Sequence, residues 1–303
     1  MHNIVEEIVY SPNKYRETEG IKVNCNPDGP YHWFKVEYID KLEEKNAVHL
    51  HFTMDDNLSL SDKVKDRYKK MYSGMFYKRY VSGLWCLAEG VIYDMFNEDI
   101  HKVDTINRRY EKYYVSIDYG TQNATVFLLW GLYEGKWYIV KEFYYSGRNA
   151  SIQKSDVEYS KELKNFLGNI IPIKIIVDPS AASFITQLRD DGFKNVLKAK
   201  NNVLDGIRTV ASALNLGIFY VNDICKETLK EFSSYIWDPK KLDYGVEEVL
   251  KEKDHCMDAM RYFVYTILRY DVESNYDDSV YEKGKGVNGL KVNDAYRKGG
   301  QIF

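Results

Sequence analysis

Cysteine and long apolar runs are scarce in this chain, and both absences limit what it can be. The four cysteines include no CxxC pair, so the sequence indicates neither a zinc ribbon nor a disulfide framework, and we expect a reduced compartment. The longest apolar run, around Ala124 to Tyr133, is too short to cross a bilayer. Acidic residues follow Met1 closely, so we also expect no signal peptide and no membrane association.

A strong excess of one charge is also missing. The 42 basic and 45 acidic residues leave a formal charge of −3. This balance argues against a uniformly basic nucleic-acid binder but allows a local basic surface. The length of 303 residues is enough for one large domain or two ordinary ones. The hydrophobic fraction of 45% and the charged fraction of 29% are typical of a folded globular chain.

The first hundred residues have the pattern of short strands and one clear helix. Residues 21–25 and 47–53 are strand-like, and Ser61-Asp62 caps a helix that runs to about Gly74. Between Ser61 and Tyr80 there are seven basic residues and two acidic ones. This basic stretch is either a solvated helix face or a surface that contacts DNA or a partner, and the sequence leaves both interpretations open.

From about Glu111 the pattern becomes regular and predicts an α/β fold. Three strand-like runs joined by short turns come first, as in an antiparallel meander. Helices and short strands then alternate, and the apolar run of residues 173–177 is typical of a buried parallel strand. This order predicts a ribonuclease-H-like domain, with a mixed sheet of three antiparallel and then parallel strands and with flanking helices. The strands are predicted over 113–118, 125–133, 136–144, 173–177, 195–198 and 218–221, and the helices over 151–167, 181–190, 203–214, 226–236 and 253–270.

Acidic residues stand at three positions where they could carry chemistry. Asp118 ends the first strand of the meander, and Asp178 ends the buried strand, where α/β folds place ligands. On the last helix, the spacing of Asp254, His255 and Asp258 brings all three to one edge of its first turns. Each position also has a purely structural explanation, as a turn residue, a helix N-cap or a partner in an ion pair within the helix.

Taken together, these positions favour a metal site. If the strands that carry Asp118 and Asp178 lie parallel and side by side, both carboxylates leave the same end of the sheet, and the last helix would add Asp258. Three carboxylates gathered there would repel one another without bound cations. Mg²⁺ and Mn²⁺ prefer oxygen ligands, and two such ions about 4 Å apart can hydrolyse a phosphodiester. The sequence therefore predicts a two-metal site for Mg²⁺ or Mn²⁺, with Asp254 as a further candidate ligand.

Several other segments occur in a fixed order around these acidic positions, and together they resemble one known family. The segments are Asn24-Cys25-Asn26-Pro27 with His32-Trp33, Phe52-Thr53-Met54-Asp55-Asp56-Asn57, Gly83-Leu84-Trp85 with Ala88-Glu89-Gly90-Val91-Ile92-Tyr93, and Lys198-Ala199-Lys200-Asn201 with Asp205-Gly206-Ile207. From Gly20 to Tyr270, the chain resembles the large terminase subunit of tailed bacteriophages, in the prophage-type branch.

The resemblance implies a packaging ATPase followed by a nuclease that cuts concatemeric viral DNA. It places the three aspartates at the metal-binding positions and His255 beside Asp258, where the histidine could move a proton, orient Asp258 or bind a metal. Lys198 and Lys200 are candidates for phosphate contacts, or else are solvated loop lysines. The implied partners are double-stranded DNA, the small terminase subunit and the portal protein. The implied location is the bacterial host cytoplasm, and transiently the procapsid portal.

The chain departs from the family pattern because no segment reads GxxxxGK[ST], the phosphate-binding loop of such ATPases. ATP hydrolysis by this chain alone is therefore not expected, and the missing half could lie on another chain. We expect a fragment from about Arg109 to Tyr270 to fold and cut DNA by itself. The expected divisions are 1–97, an incomplete ATPase-domain remnant; 98–111, a linker; 112–271, the nuclease domain; and 272–303, a mobile tail.

Two rival functions remain open at the level of sequence. The first is a non-catalytic packaging-motor subunit that docks on the portal or the small terminase. The second is another ribonuclease-H-like nuclease, such as a resolvase. A metal-dependent DNA-cutting assay separates the first of these from the nuclease.

Overall fold

Two β-sheets organise the described part of the protein. The computed structural model describes residues 6–12, 20–120, 123–147 and 153–274, so most of the expected tail, 272–303, lies outside the described residues. One sheet has three strands and the other has seven. Across the described ranges, no helix combines the length and the apolar character needed to cross a bilayer.

The N-terminal region consists of the small antiparallel sheet and short helices. The strands predicted over 21–25 and 47–53 are confirmed as β2 and β3, and both pair with β1 between them. The helix predicted from Ser61-Asp62 to about Gly74 is confirmed as α2, and the basic stretch also contains a second helix, which begins at Gly74 with a left-handed φ of 52°. The elements are β1 (Glu6–Pro12), β2 (Gly20–Cys25), α1 (Trp33–Glu37), β3 (Val48–Phe52), α2 (Asp62–Met71) and α3 (Gly74–Tyr80).

The larger sheet has the ribonuclease-H-like arrangement that the sequence predicts. Its order is β4-β10-β7-β6-β5-β8-β9. Strands β5, β6 and β7 form the antiparallel meander, and β8 and β9 extend the sheet in parallel beside β5. Strand β10 pairs in parallel with β7 at the other side, and β4 lies beyond it. The strands are β4 (Lys102–Val103), β5 (Lys112–Asp118), β6 (Ala124–Tyr133), β7 (Lys136–Ser146), β8 (Ile175–Val177), β9 (Val196–Lys198) and β10 (Phe219–Asn222).

Helices cover both faces of this sheet. Side chains alternate between the two faces along a strand, and in β6 Leu128 and Trp130 pack on one side while Phe127 and Leu129 pack on the other. Apolar residues of α7 and α10 complete the first layer, and those of α5 and α6 complete the second. The helices are α4 (Glu98–His101), α5 (Asp156–Leu167), α6 (Ala182–Asp190), α7 (Val203–Asn215), α8 (Lys226–Ser234), α9 (Pro239–Leu242), α10 (His255–Phe263) and α11 (Arg269–Ser274).

Residues 98–103, the first part of the predicted linker 98–111, have regular secondary structure. They form α4 and β4, and the buried ring of His101 lies with Nε2 3.2 Å from the carbonyl oxygen of Leu214. The apolar layer under α7 and α10 also contains residues from the N-terminal region, namely Phe76, Ala88, Ile92 and Tyr93. The two regions therefore share a core, and a fragment that begins at Arg109 would lose part of it.

Two predicted helices begin later than the sequence pattern indicates. Helix α5 starts at Asp156 instead of Ser151, because Ser155 and Glu158 form a reciprocal capping box there. The last helix starts at His255 instead of Lys253, and a π-helical turn over Val264–Leu268 separates α10 from α11. The other elements predicted in this region are confirmed with small shifts at their ends.

Candidate metal centre

Two neighbouring strands bring acidic side chains to one edge of the large sheet. Strands β5 and β8 are parallel, with Ile117 opposite Val177. The next residues, Asp118 and Asp178, therefore lie side by side at the carboxyl ends of these strands. The amide of Asp178 donates to the carbonyl oxygen of Ile117 at 3.2 Å, so the pairing continues one residue past β8. The structure thus brings these two predicted residues together.

Helix α10 packs against β5 and β6 and adds Asp258 to the same edge. Burial, together with the negative charges of Asp258 and Asp178, raises the pKa of Asp118 to about 6, although the hydrogen bond with His255 opposes the change. Burial and the same three carboxylates also raise the pKa of Tyr262, one turn after Asp258 on the helix. All three aspartates are therefore close enough to influence one another electrostatically.

His255, the first residue of α10, contacts Asp118 rather than Asp258, which was one of its expected partners. Its Nδ1 lies 3.0 Å from Oδ2 of Asp118 and 3.9 Å from Oδ1 of Asp254. Burial lowers the pKa of His255, but the hydrogen bond to Asp118 and the surrounding carboxylates outweigh it, so the pKa is raised overall. The charged imidazolium is thus favoured beside the acidic edge.

Basic side chains hold the two carboxylates of the last helix. Buried Arg261 donates from Nη2 to Oδ1 of Asp258 at 2.9 Å. The ammonium of Lys251 lies 3.3 Å from Oδ2 of Asp254 and 3.7 Å from Oδ2 of Asp258. Asp254 occupies the N-cap position, yet its side chain makes no capping hydrogen bond. The structural explanation is therefore confirmed for the position of Asp254 and for the ion pair of Asp258 within the helix, but not for a capping hydrogen bond from the Asp254 side chain.

A glutamate from another helix caps α10 instead. Oε2 of Glu231, on α8, accepts a hydrogen bond from the amide of Cys256 at 2.7 Å, and burial raises the pKa of this glutamate to about 7. Glu142, on β7, caps α8 in the same way and accepts from the amide of Thr228 at 2.9 Å. A carboxylate at a helix N-terminus is favoured by the helix dipole. The two glutamates therefore tie the helix that carries Asp258 to the sheet through α8.

Lys198 and Lys200 lie beside the acidic edge. Strand β9 pairs in parallel with β8, with Lys198 opposite Val177, and both lysine side chains are exposed. The amide of Lys200 donates to Oγ1 of Thr266 at 3.0 Å, and its ammonium lies 5.5 Å from the centre of the Tyr270 ring. Exposed positive charge at this position suits contacts with phosphate groups.

The donor set fits a hard divalent ion by its chemistry, but the side chains are not gathered around one point. Asp118, Asp178 and Asp258 offer carboxylate oxygens, which Mg²⁺ and Mn²⁺ prefer. Within the described ranges, however, no three His, Cys, Asp or Glu side chains converge closely enough to hold an ion as they stand. The ion pairs of Asp258 with Arg261 and Lys251 are consistent with this, because they direct its oxygens towards protein cations.

Sequence reasoning missed three residues at this edge. Lys251 precedes Asp254 by three residues, a spacing that is compatible with an ion pair. Tyr262 follows Asp258 by four residues, so it could have been placed on the same helix face. Glu231 gave no local signal, since its partner Cys256 is 25 residues further along the chain.

The chain matches proteins of known family and structure. Residues 118–265 match a family model described as the terminase RNAseH like domain. The chain is 62% identical to the large terminase of the thermophilic bacteriophage D6E, solved in complex with ADP, with a TM-score of 0.78 over 80% of this chain and 61% of that one. It is 25% identical over 253 residues to the terminase large subunit of Escherichia phage T5, covering 78% of this chain and 56% of that protein. The chain therefore spans less than two thirds of the length of these relatives.

Proposed function

The chain carries the RNase H-like domain of phage terminase large subunits, and from this premise we propose that it is a divalent-metal-dependent DNA endonuclease. The proposal rests on one observation, the placement of Asp118, Asp178 and Asp258 at the same edge of the sheet, close enough to influence one another electrostatically. The substrate would be concatemeric viral DNA in the cytoplasm of the bacterial host, cut while the genome is packaged.

The three aspartates would hold Mg²⁺ or Mn²⁺ through their oxygens, with Asp254 as an additional donor. Two such ions, when bound, supply activation of water and stabilisation of the leaving 3′ oxygen. The contact between Nδ1 of His255 and Asp118 at 3.0 Å fixes the orientation of that carboxylate. Because Nδ1 is engaged there, Nε2 of His255 is the atom that would accept or deliver a proton.

Contacts to the DNA would come from the edge strand beside the site. Lys198 and Lys200 are exposed next to the strand that ends in Asp178, so their ammonium groups would pair with backbone phosphates. Phosphate contacts set the position of a duplex but do not read its bases. We therefore expect weak sequence preference in cutting.

The experiment that tests this proposal is incubation of plasmid DNA with the full chain and Mn²⁺, Mg²⁺ or EDTA. Asp178→Asn keeps the side-chain oxygen that accepts from the amide of Ser180 at 2.9 Å but removes the charge. We expect the wild type to cut with Mn²⁺ and not in EDTA, and Asp178→Asn not to cut. Asp190→Asn, an exposed position on α6, is the matched control and should cut normally. Mn²⁺-dependent cutting by Asp178→Asn would show that Asp178 is not needed as a metal ligand.

The N-terminal region and its partners form the second part of the proposal. Residues 1–97 would belong to a packaging ATPase domain, with the portal and small terminase as partners. A non-catalytic packaging subunit is the second candidate function, and the ion pairs that occupy Asp254 and Asp258 favour it. In the plasmid assay, that alternative predicts no cutting by the wild type with either metal.

A further inference from the structure

A short segment between α9 and α10 connects the N-terminal region with the acidic edge. Its first residue, Glu247, is bound by the N-terminal region, and its last residue, Lys251, is bound to Asp254 and Asp258. We refer to residues 247–251 as the connecting segment. Between these two ends, Val249 is buried and its backbone forms a bridge with Trp237, so the segment is held in one position.

Arg79 holds the Glu247 end of the connecting segment. Arg79 belongs to the basic stretch, yet its side chain is only 4% exposed, so it is neither a solvated residue nor a DNA contact. Its Nη1 donates to Oε2 of Glu247 at 2.9 Å and lies 2.8 Å from Oδ1 of Asp28, while its Nη2 donates to the carbonyl oxygen of Cys86 at 2.6 Å. The amide of Ala88 donates to Oε1 of Glu247 at 3.0 Å. A buried and fully bonded arginine of this kind is a rigid anchor.

Lys251 covers the carboxylates at the other end. Its side chain is 58% exposed, whereas those of Asp254 and Asp258 are 7% and 12% exposed. The ammonium therefore lies on the solvent side of two nearly buried carboxylates. The following Lys253 has a left-handed φ of 53°, which is uncommon for a residue other than glycine and fixes the turn into α10. A protein cation in this place interacts with the same oxygens that a metal ion would need.

We propose that Lys251 is an internal cation that competes with the divalent metal for Asp254 and Asp258, and that the N-terminal region sets this competition by holding Glu247 through Arg79. The inference rests on the proposed function, because it concerns metal entry to that site. While Glu247 is held, Lys251 stays on the two carboxylates. When Glu247 is released, the connecting segment is held less firmly, so Lys251 leaves the two carboxylates more readily, and its charge is then available for a phosphate group at the same edge.

The first test measures Mn²⁺ binding to the full chain without DNA, by electron paramagnetic resonance of free Mn²⁺ or by calorimetry. Lys251→Met keeps the aliphatic stem and removes the charge. The positive charge of Lys251, a few ångströms from a bound divalent cation, would repel that cation strongly even near the surface. We therefore expect Lys251→Met to bind Mn²⁺ about tenfold more tightly than the wild type. Lys253→Met changes the net charge equally two residues away, and its effect should stay within about twofold. Equal effects of the two variants, or weaker binding by Lys251→Met, would overturn the proposal.

The second test concerns the anchor. Glu247→Gln keeps an oxygen for the amide of Ala88 but weakens the hold of Arg79. We expect Mn²⁺ to bind about threefold more tightly in the wild-type background and no change in the Lys251→Met background. The same shift in both backgrounds, or none in the wild type, would overturn the link through Lys251. If Glu247→Gln melts at a much lower temperature, Asp28→Asn is measured instead. Asp28 is the half-exposed partner of Arg79, so this change also loosens the arginine.

The two proposals fail in different ways. Absence of Mn²⁺ binding in the wild type and in Lys251→Met would overturn the proposed nuclease function itself. Mn²⁺ binding that Asp178→Asn abolishes but Lys251→Met leaves unchanged would overturn only the role of Lys251.

Discussion

Replacing Asp118 by Asn should make the protein more stable while abolishing its cutting of DNA. Asp118 is buried at the end of β5 beside two other carboxylates, and its pKa is raised from 3.8 to about 6. For an acid with a raised pKa, the folded state binds the proton more tightly than the unfolded state. Its contribution to stability is therefore complete below about pH 4 and is lost as the pH rises through about 6. Above that range, the ionised carboxylate opposes folding.

The size of this effect follows from the pKa shift. A shift of about 2 units, at about 1.4 kcal/mol per unit, gives an upper limit of about 3 kcal/mol. Asn can still face His255 with its amide oxygen, but it loses the attraction of a charged partner, so the net gain should be about 1–2 kcal/mol. In a chain of this size, the entropy of unfolding is about 0.6 kcal/mol/K, so that gain corresponds to a rise in Tm of about 2–3 °C.

Thermal unfolding in EDTA checks this prediction at pH 8 and at pH 5. We expect the Tm of Asp118→Asn to exceed that of the wild type at pH 8 and the difference to shrink at pH 5. Adding Mn²⁺ should raise the Tm of the wild type and leave that of the variant unchanged. Because Asp118 raises the pKa of His255, the variant should also show a lower histidine pKa by nuclear magnetic resonance. A variant that is less stable than the wild type at pH 8 would refute the electrostatic reasoning.

Three further predictions concern the histidine, the lysines and the domain boundary. His255→Gln should lower kcat by about 10²–10⁴-fold with little change in the KM for DNA, and an unchanged pH–rate profile would contradict a proton-transfer role. Replacing both Lys198 and Lys200 by Met should reduce the slope of log affinity against log salt by about 1.8, if each contacts one phosphate; an identical slope would exclude both contacts. A fragment of residues 72–274 should stay soluble in gel filtration, whereas residues 109–274 should aggregate because the shared core is exposed; a monomeric, active 109–274 fragment would contradict this.

The sequence by itself determined the type and order of the elements in the large sheet. Strand alternation, turns and apolar runs are local properties, so the meander over β5, β6 and β7 and the helices after it could be predicted from residue spacing. Asp118 and Asp178 could be paired in advance because each ends a strand and the carboxyl ends of parallel strands share one edge. The order of the short motifs indicated the protein family, which composition and periodicity alone do not identify.

Only the tertiary structure decided which distant groups meet. Strand β10 joins the far side of β7, and the first hundred residues enter the same core, because the burial of apolar surface depends on the whole assembly. Arg79 has the pattern of a surface residue in the sequence, yet it is buried against Glu247, 168 residues away. Lys251 and Glu231 also reach the acidic edge only through the way the chain folds. Charge pairing is set by distance in space and by exclusion of water, and a linear pattern of residues records neither.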